Sequence, residues 1–337
     1  MRRRTLLQLA TAAGLAAPAI VQAQGSDWKP TRPVTIVVPW AAGGSTDQVV
    51  RVVASELQAA FGQSFVVVNQ PGASGSIGTR NVLAGAHDGY TWASGAAVDV
   101  GCYKVLGLLD TMLADWQLYF AVANVNIVSA NPSAPFKDFG QFLATLQGPG
   151  GANTAVATAG ISSAGQMIME MIRANAHANY RHVPYDGGNP AVIAAVSGET
   201  PAVGSLLVEA GDMIKAKRLV PLAVLAEQPV MLDGYGAIPP ITNWIKGMSA
   251  PLNYFGVWLP KDAPAEVHAA MGRVWREKIS QSAALQDYAR RRAAVFAPLQ
   301  GDAATAEGMK SVRQIAWLYW DAGKGKVSPD SLGISRL

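Results

Sequence analysis

Two short glycine loops are the parts of this sequence most capable of binding chemistry. The first follows Val34 to Val38, a run of β-prone residues ended by Pro39, and contains Gly43 and Gly44 ahead of an amphipathic stretch. Because glycine has no Cβ, such a loop turns sharply and leaves its backbone N–H groups uncovered. The N-terminus of the following helix carries a partial positive charge that favours an anion. This pattern predicts a seat for a small anion.

The same arrangement occurs a second time in the chain. Residues 154–158 predict a strand, residues 159–165 a loop of small residues, and residues 166–176 a helix. A lone Gly-Gly pair is most often only a tight turn. Two matching loops at the carboxyl ends of parallel strands instead favour a ligand held between them. Since neither loop contains Lys or Arg, we expect backbone donors to recognise the anion.

The candidate ligand-binding residues come from these loops and from nearby strand ends. Trp40 suits a cleft wall and a core position equally well, and Tyr185 also lies at a strand end. Ser94 and Ser205 are included because they end short strands. The full set is Trp40, Ala41, Ala42, Gly43, Gly44, Ser45, Thr46, Ser94, Thr158, Ala159, Gly160, Ser162, Ser163, Tyr185 and Ser205.

Asp47 is expected to support the first loop rather than to contact the anion. It is most simply a helix N-cap, a position that Ser45 and Thr46 also suit. A carboxylate at the mouth of an anion seat would repel the ligand. We therefore assign Asp47 to the structure of the loop.

Other kinds of site find little support in the sequence. Gly72, Gly75 and Gly78 lack the spacing of a dinucleotide-binding loop, and no P-loop pattern occurs. The residues around Ser162 lack the G-x-S-x-G elbow of a nucleophilic serine. The histidines have neither the spacing nor the neighbouring cysteines of a metal site; they are His87, His177, His182 and His268. We expect no catalytic residue, no metal and no cofactor.

The elements that must position the loops alternate between strand and helix. Further strands are predicted at 65–68, 91–94, 180–183, 203, 219–225 and 254–259, with extended runs at 117–123 and 125–130. Further helices are predicted at 47–61, 76–84, 136–146, 189–196, 207–215, 265–280, 283–292 and 304–322. Such alternation predicts an α/β fold whose doubly wound sheets are mainly parallel.

The chain is expected to form two domains with a ligand cleft between them. Alternation stops after residue 226 in a long coil rich in Pro and Gly, and a helical end follows. We predict a discontinuous first domain of residues 24–126 and 227–337, and a second domain of residues 127–226. Two or more crossings between domains imply a hinge.

The first 23 residues are predicted to be an export signal. Arg2, Arg3 and Arg4 precede the uncharged run Leu6 to Ala19, and small residues end the segment at Ala23. We expect cleavage after Ala23 and a periplasmic location. A basic start suits the Sec route, whereas the Arg3-Arg4 pair also resembles a twin-arginine signal. No later apolar run approaches the roughly 20 residues of a bilayer span.

Charge and cysteine content argue against nucleic-acid binding and against an internal disulfide. The net charge of +4 falls to about +1 without the three arginines of the signal, so the basic pI does not indicate nucleic-acid binding. Cys102 is the single cysteine and cannot form an internal disulfide. The fold must therefore rest on its hydrophobic cores.

Several longer motifs, in order and spacing, resemble the substrate-binding proteins of tripartite tricarboxylate transporters, also called Bug receptors. The similarity is clearest over residues 34–199. The motifs are VPWAAGGSTD, FGQSFVVVNQPGASGSIG, HDGYT, TAGISSAGQ and RHVPYDGGNPAVIAAVSGE. The resemblance implies a two-domain periplasmic binding protein of the type II-like "Venus flytrap" fold. It also implies that residues 41–47 and 158–163 hold a small di- or tricarboxylate.

The function expected from this resemblance is solute binding without catalysis. The protein would capture a small organic carboxylate, aromatic ones included, by domain closure and deliver it to integral membrane transporter subunits. We expect a monomer that binds no nucleic acid. Two alternatives remain: a ligand sensor for a signalling partner, and a secreted α/β hydrolase.

Overall fold

The computed structural model describes residues 28–248 and 252–336. The predicted export signal and its cleavage site lie outside these residues. The strands are β1 (Val34–Val38), β2 (Phe65–Asn69), β3 (Thr91–Ala96), β4 (Trp116–Asn124), β5 (Asn126–Ala130), β6 (Ala155–Thr158), β7 (Arg181–Pro184), β8 (Ala202–Leu206), β9 (Val220–Val224), β10 (Val230–Leu232), β11 (Gly236–Ile238), β12 (Asn253–Pro260) and β13 (Val295–Phe296). The helices are α1 (Ser45–Phe61), α2 (Ser76–Leu83), α3 (Ala97–Leu106), α4 (Phe139–Gln147), α5 (Ala164–Ala176), α6 (Gly188–Ser197), α7 (Leu207–Lys215), α8 (Ala265–Glu277), α9 (Ala283–Arg292) and α10 (Gly301–Asp321).

The described strands form two mixed sheets and a two-stranded hairpin, so the predicted α/β fold is confirmed, and the share of parallel strand pairs is smaller than expected. The six-stranded sheet has the order β13-β4-β12-β3-β1-β2, and only the two pairs made by β1 are parallel. The five-stranded sheet has the order β7-β6-β8-β5-β9, and only the two pairs made by β6 are parallel.

Every antiparallel pair in the two larger sheets involves β4, β5 or β12. Val125 alone separates β4 from β5, which belong to different sheets. Parallel neighbours need a long crossover connection, usually a helix. Strand β5 follows β4 directly, without a crossover helix. Strand β5 lies antiparallel to β8 and β9, and β12 lies antiparallel to β3 and β4.

The segment after β9 packs with the five-stranded sheet. Leu232 and Ile238 share a core cluster with Val224, and the rings of Phe139 and Trp244 lie 5.1 Å apart. The described residues that follow residue 226, up to Trp244, therefore pack with the five-stranded sheet. The coil predicted here also contains the β10–β11 hairpin, which the Pro and Gly content concealed.

Helix α3 is the principal element that the sequence did not predict. Every residue of Ala97–Leu106 except Lys104 is buried, so the helix has no polar face and no amphipathic signal. It packs against α10 beneath the six-stranded sheet. Among the described helices, none combines the length and apolar character needed to cross a bilayer.

Candidate functional site

Both glycine loops lie at the carboxyl ends of parallel strands, as predicted. The first joins β1 to α1, and the second joins β6 to α5. Gly43 has φ +80° and Gly160 has φ +130°, backbone conformations that residues with a Cβ rarely adopt. The two loops face each other between the sheets.

A small cavity lies between the two sheets. Its volume is about 30 Å³, room for one or two water molecules. Among the lining residues that the structure describes, none is Lys, Arg or His. The walls are made by Trp40, Gly44, Ser45, Thr46, Ala96, Asp99, Ala159, Ser163, Ala164, Gly165, Gly188, Gly204, Ser205, Leu206, Glu209 and Phe255.

Five of the described helices begin at the wall of this cavity. They are α1, α3, α5, α6 and α7, and each contributes its N-cap residue or a residue of its first turn to the lining. A helix N-terminus carries about half a positive charge on its unpaired N–H groups. These helix N-termini therefore bring positive partial charge to the cavity wall, although no basic side chain of the described residues lines it.

Glu209 already engages one of these helix N-termini. Its Oε1 accepts a hydrogen bond from the Ser45 N–H at 3.2 Å, and its Oε2 accepts one from the Leu206 N–H at 3.1 Å. Burial raises the pKa of Glu209, and the bonds from Leu206 and Ser45 oppose the rise. One N–H donor of α1 is thus engaged by a carboxylate of the chain itself.

Asp47 supports the first loop, but it is not the N-cap. Helix α1 begins two residues earlier than predicted, which makes Gly44 the N-cap and Asp47 the third helical residue. Its carboxylate reaches back to the Gly43 N–H at 2.9 Å and also binds Arg51 and Asn69. Burial would raise the pKa of Asp47, but these three partners outweigh it and the pKa is lowered. The Gly43 N–H is therefore not bare, contrary to the sequence expectation.

The second loop is fixed from across the cleft. Ser74, in the turn before α2, accepts the Ile161 N–H on its Oγ at 3.0 Å. Its carbonyl oxygen accepts the Ser162 hydroxyl, also at 3.0 Å. Ser163 is the N-cap of α5 and accepts the Gln166 N–H. These contacts hold the second loop against the half of the molecule that carries the first.

The structure brings seven of the predicted ligand-binding residues into the cavity wall. They are Trp40, Gly44, Ser45, Thr46, Ala159, Ser163 and Ser205. Ala41 donates its N–H to the Asp186 carbonyl oxygen at the cleft rim, where Ala42 is exposed. Gly43 lies beside Asn189.

The remaining predicted residues lie outside this cavity. Ser94 is buried in the sheet, where its hydroxyl donates to the Val37 carbonyl oxygen. The Thr158 hydroxyl contacts His182 Nε2 at 2.6 Å. Gly160 and Tyr185 line a separate, open hollow beside Ser74, and Ser162 bonds the Ser74 backbone.

Two acidic residues in the cavity wall were missed in the sequence. Asp99 and Glu209 are the third residues of α3 and α7. Burial raises the pKa of Asp99 well above its usual range, the charge of Glu209 adds to this, and hydrogen bonds from the Trp40 side chain and the Ala96 N–H oppose it. An acidic residue inside an otherwise apolar run was the available signal for Asp99.

A comparison with protein families shows which family this chain belongs to. Residues 49–313 match the model of the tripartite tricarboxylate transporter family receptor, TctC. The chain belongs to this family. The family consists of periplasmic solute-binding receptors and not of enzymes.

Two curated relatives match this receptor over about four fifths of its length. The UPF0065 protein from the tcbD–tcbE intergenic region of Pseudomonas sp. (strain P51) is 30% identical over 79% of this chain and 78% of its own. Protein BugT of Bordetella pertussis is 28% identical over 82% of this chain and 84% of its own.

Solved structures show that the receptor has a periplasmic binding protein fold. Periplasmic binding protein BugD matches with a TM-score of 0.79 at 23% identity, over 88% of this chain and 99% of its own. Rhodopseudomonas palustris MatC with bound malate matches with a TM-score of 0.75 at 21% identity, over 86% and 99%. An R. palustris protein with adipate matches with a TM-score of 0.77 at 23% identity, over 87% and 98%.

Proposed function

We propose that this receptor binds a small organic carboxylate between its two glycine loops and delivers it to the membrane subunits of a tripartite transporter. The observation that carries this proposal is the convergence of five helix N-termini on one cavity without a basic side chain. Backbone N–H groups at helix N-termini bind carboxylates through charge-assisted hydrogen bonds. The malate and adipate held by the two R. palustris proteins are dicarboxylates, which supports the same ligand class.

Ligand entry would require the two halves to separate. A cavity of about 30 Å³ is smaller than any dicarboxylate. The halves meet through hydrogen bonds at the cleft: Ala41 to Asp186, Ser45 to Glu209, and Ile161 to Ser74. These cleft contacts would break as the halves rotate about the chain segments that connect them, which is a hinge motion.

The packing supports a proposed division into two domains. We place the first domain at residues 24–126 with 253–337, and the second at residues 127–248. This assigns the β10–β11 hairpin and Trp244 to the five-stranded sheet that they contact. The connection at Val125 would then be one of the chain segments that form the hinge.

Export and assembly complete the proposal. Cleavage after Ala23 would give a mature protein that begins at Gln24, and N-terminal sequencing of periplasmic material tests this.

We also propose that the receptor is a monomer. Size-exclusion chromatography with light scattering would contradict this if the mass were about twice that of one chain.

A thermal-shift screen tests the binding function. Mono-, di- and tricarboxylates, aromatic ones included, are compared with their neutral amides at matched concentration. A ligand that binds only the folded protein raises its melting temperature, by linkage. We expect at least one carboxylate to raise it and its amide analogue to have no effect. Equal shifts with the amide would show that the helix N-termini do not hold an anion.

A further inference from the structure

A larger, open cavity lies in the half of the molecule that contains the six-stranded sheet. Its volume is about 500 Å³, and its walls come from the start of β4, from α8 and from the start of α10. We call it the α8 pocket. It shares no lining residue with the small cavity between the two sheets, here the cleft cavity. It is therefore a separate candidate for a binding site.

Two arginines give the α8 pocket a positive wall. Arg273 and Arg276 are three residues apart in α8 and therefore lie on the same face of the helix. Among the lining residues that the structure describes, none is Asp or Glu. The cleft cavity has the reverse character, because its described ionisable lining residues are Asp99 and Glu209. The α8 pocket therefore suits an anion.

The charge of Arg276 acts on the buried part of the pocket wall. Tyr119 is only 1% exposed, and its hydroxyl donates to the His268 carbonyl oxygen at 3.3 Å. Burial raises the pKa of Tyr119, and the positive charge of Arg276 opposes the rise. The His268 ring adds no charge at neutral pH, because burial lowers its pKa. The two arginines therefore supply the positive charge of the pocket.

Gly272 leaves space for polar groups beside α8. It lies in the middle of the helix, where glycine is less favourable than alanine. A Cβ at Gly272 would lie 3.2 Å from Gln300 Oε1 and 3.4 Å from Arg276 Nη1. The Gln300 amide donates to the Gly272 carbonyl oxygen at 3.1 Å. The glycine thus allows the Arg276 guanidinium to lie close to the helix, at the pocket wall.

The first turn of α10 adds backbone donors to the arginines. Gln300 is the N-cap residue of α10, but its side chain caps no N–H of the helix. An uncapped first turn carries positive partial charge on its N–H groups. Asp302, an acid in this turn, is exposed and does not line the pocket. The turn therefore supplements the arginine pair.

We propose that the α8 pocket binds a phosphate group, carried by a free phosphate compound or by a lipid headgroup. Guanidinium groups present paired N–H donors that match the oxygens of phosphate, and two of them offset its negative charge. All the lining residues belong to one half of the molecule, so opening of the cleft leaves the pocket intact. This site is independent of the carboxylate site proposed for the cleft.

Calorimetry with inorganic phosphate at constant ionic strength tests the site. We expect a dissociation constant of about 1 mM or tighter. Arg276→Gln should weaken phosphate binding by about 10-fold or more, and Arg276→Lys, which keeps the charge but loses the planar fork, by a smaller factor. Arg218→Gln is the matched control. Arg218 is an exposed arginine outside the pocket, and its loss should leave the affinity unchanged.

A second comparison separates the pocket from the cleft. Gly160→Ala, which alters a cleft loop, should leave phosphate binding unchanged. Arg276→Gln should leave the thermal shifts with carboxylates unchanged. Phosphate binding that is lost in Gly160→Ala and kept in Arg276→Gln would place the anion in the cleft and overturn this inference.

Vesicle sedimentation identifies the source of the phosphate group. Vesicles of phosphatidylcholine with about one quarter phosphatidylglycerol are compared with pure phosphatidylcholine vesicles. Binding to the anionic vesicles that falls about 10-fold in Arg276→Gln supports a lipid headgroup, whereas Arg276-dependent binding of inorganic phosphate alone supports a free compound. Absence of both, or binding that Arg276→Gln leaves unchanged, would overturn the inference. The carboxylate function of the cleft would stand in either case.

Discussion

Glu209 Oε1 accepts the Ser45 N–H at 3.2 Å, although 164 residues separate the two in the chain. The contact joins α7, beside the five-stranded sheet, to the first turn of α1, beside the six-stranded sheet. A carboxylate at a helix N-terminus is stabilised by the helix dipole and by charge-assisted hydrogen bonds. Glu209 therefore holds the two halves together where the ligand is proposed to bind.

Glu209→Gln should lower the free energy of unfolding by roughly 1–3 kcal/mol. The two oxygens of Glu209 accept different N–H groups, and a glutamine would turn its own NH₂ toward one of them. Urea unfolding measures the change. The matched control is Glu266→Gln, an exposed acid in the first turn of α8, which should cost no more than about 0.5 kcal/mol. Equal effects in the two variants would contradict a structural role for the Glu209 contact.

Gly160→Ala should weaken ligand binding by tenfold or more. A Cβ at Gly160 would lie 2.6 Å from Ser74 Oγ, so the second loop could not take its place against Ser74. Gly62→Ala is the control, because Gly62 also has positive φ, +69°, but a Cβ there meets nothing within 4 Å. The control should lose about 1 kcal/mol of stability and no affinity. A folded Gly160→Ala protein with wild-type affinity would refute the closure of this loop on Ser74.

Stability should fall as the pH drops from about 6.5 to about 4 because of His182. Burial, with the charge of Lys324 adding to it, lowers the pKa of His182 to about 4 in the folded protein, while Glu170 opposes the shift. Between these values the unfolded chain binds a proton that the folded one does not. Allowing for its partial exposure, the loss is of the order of 2 kcal/mol.

The difference between wild type and His182→Asn isolates this contribution from the carboxylates that titrate nearby. Melting temperatures from pH 7 to pH 4 should fall less steeply in the variant. The control is His177→Asn, an exposed residue with φ +51° that asparagine tolerates. Parallel curves for wild type and His182→Asn would rule out the assigned titration.

Lys324→Met should destabilise the protein by roughly 1–3 kcal/mol. Lys324 Nζ lies 2.6 Å from Glu170 Oε1, and Glu170 is only 1% exposed, so the variant leaves a buried charge without its cation. Lys310→Met is the control: its pair with Glu307 is also 2.6 Å but well exposed, and its loss should cost less than about 1 kcal/mol. Adding Glu170→Gln to Lys324→Met should restore part of the stability. A double variant less stable than the single one would contradict this explanation.

The sequence predicted the local elements well and the long-range ones poorly. Helix α9 was predicted at its observed bounds, and both glycine loops were found, because periodicity and glycine are local signals. The insertion of β12 between β3 and β4 brings together residues more than 100 positions apart. No periodicity in 253–260 reports such a partner.

The sequence predicted the backbone loop of the candidate site but not the two acidic side chains in its wall. Trp40 to Thr46 was identified as binding loop from the strand, turn and helix signals around it. Asp99 escaped because α3 is buried on all sides and shows no helical pattern. Glu209 escaped because its partner, the Ser45 N–H, belongs to a distant helix. Seven of the predicted residues share the cavity with these two acidic side chains.

The position of β12 in the first sheet also sets the order in which the two sheets can be completed during synthesis. All five strands of the second sheet lie within residues 126–224, whereas the first sheet needs residues 253–260 to join β3 to β4. Chains emerge from the ribosome N-terminus first, and until β12 arrives both β3 and β4 expose an unpaired edge. The half of the molecule that is synthesised first is therefore finished last. A nascent chain that stops before residue 253 can complete one sheet and must leave the other divided.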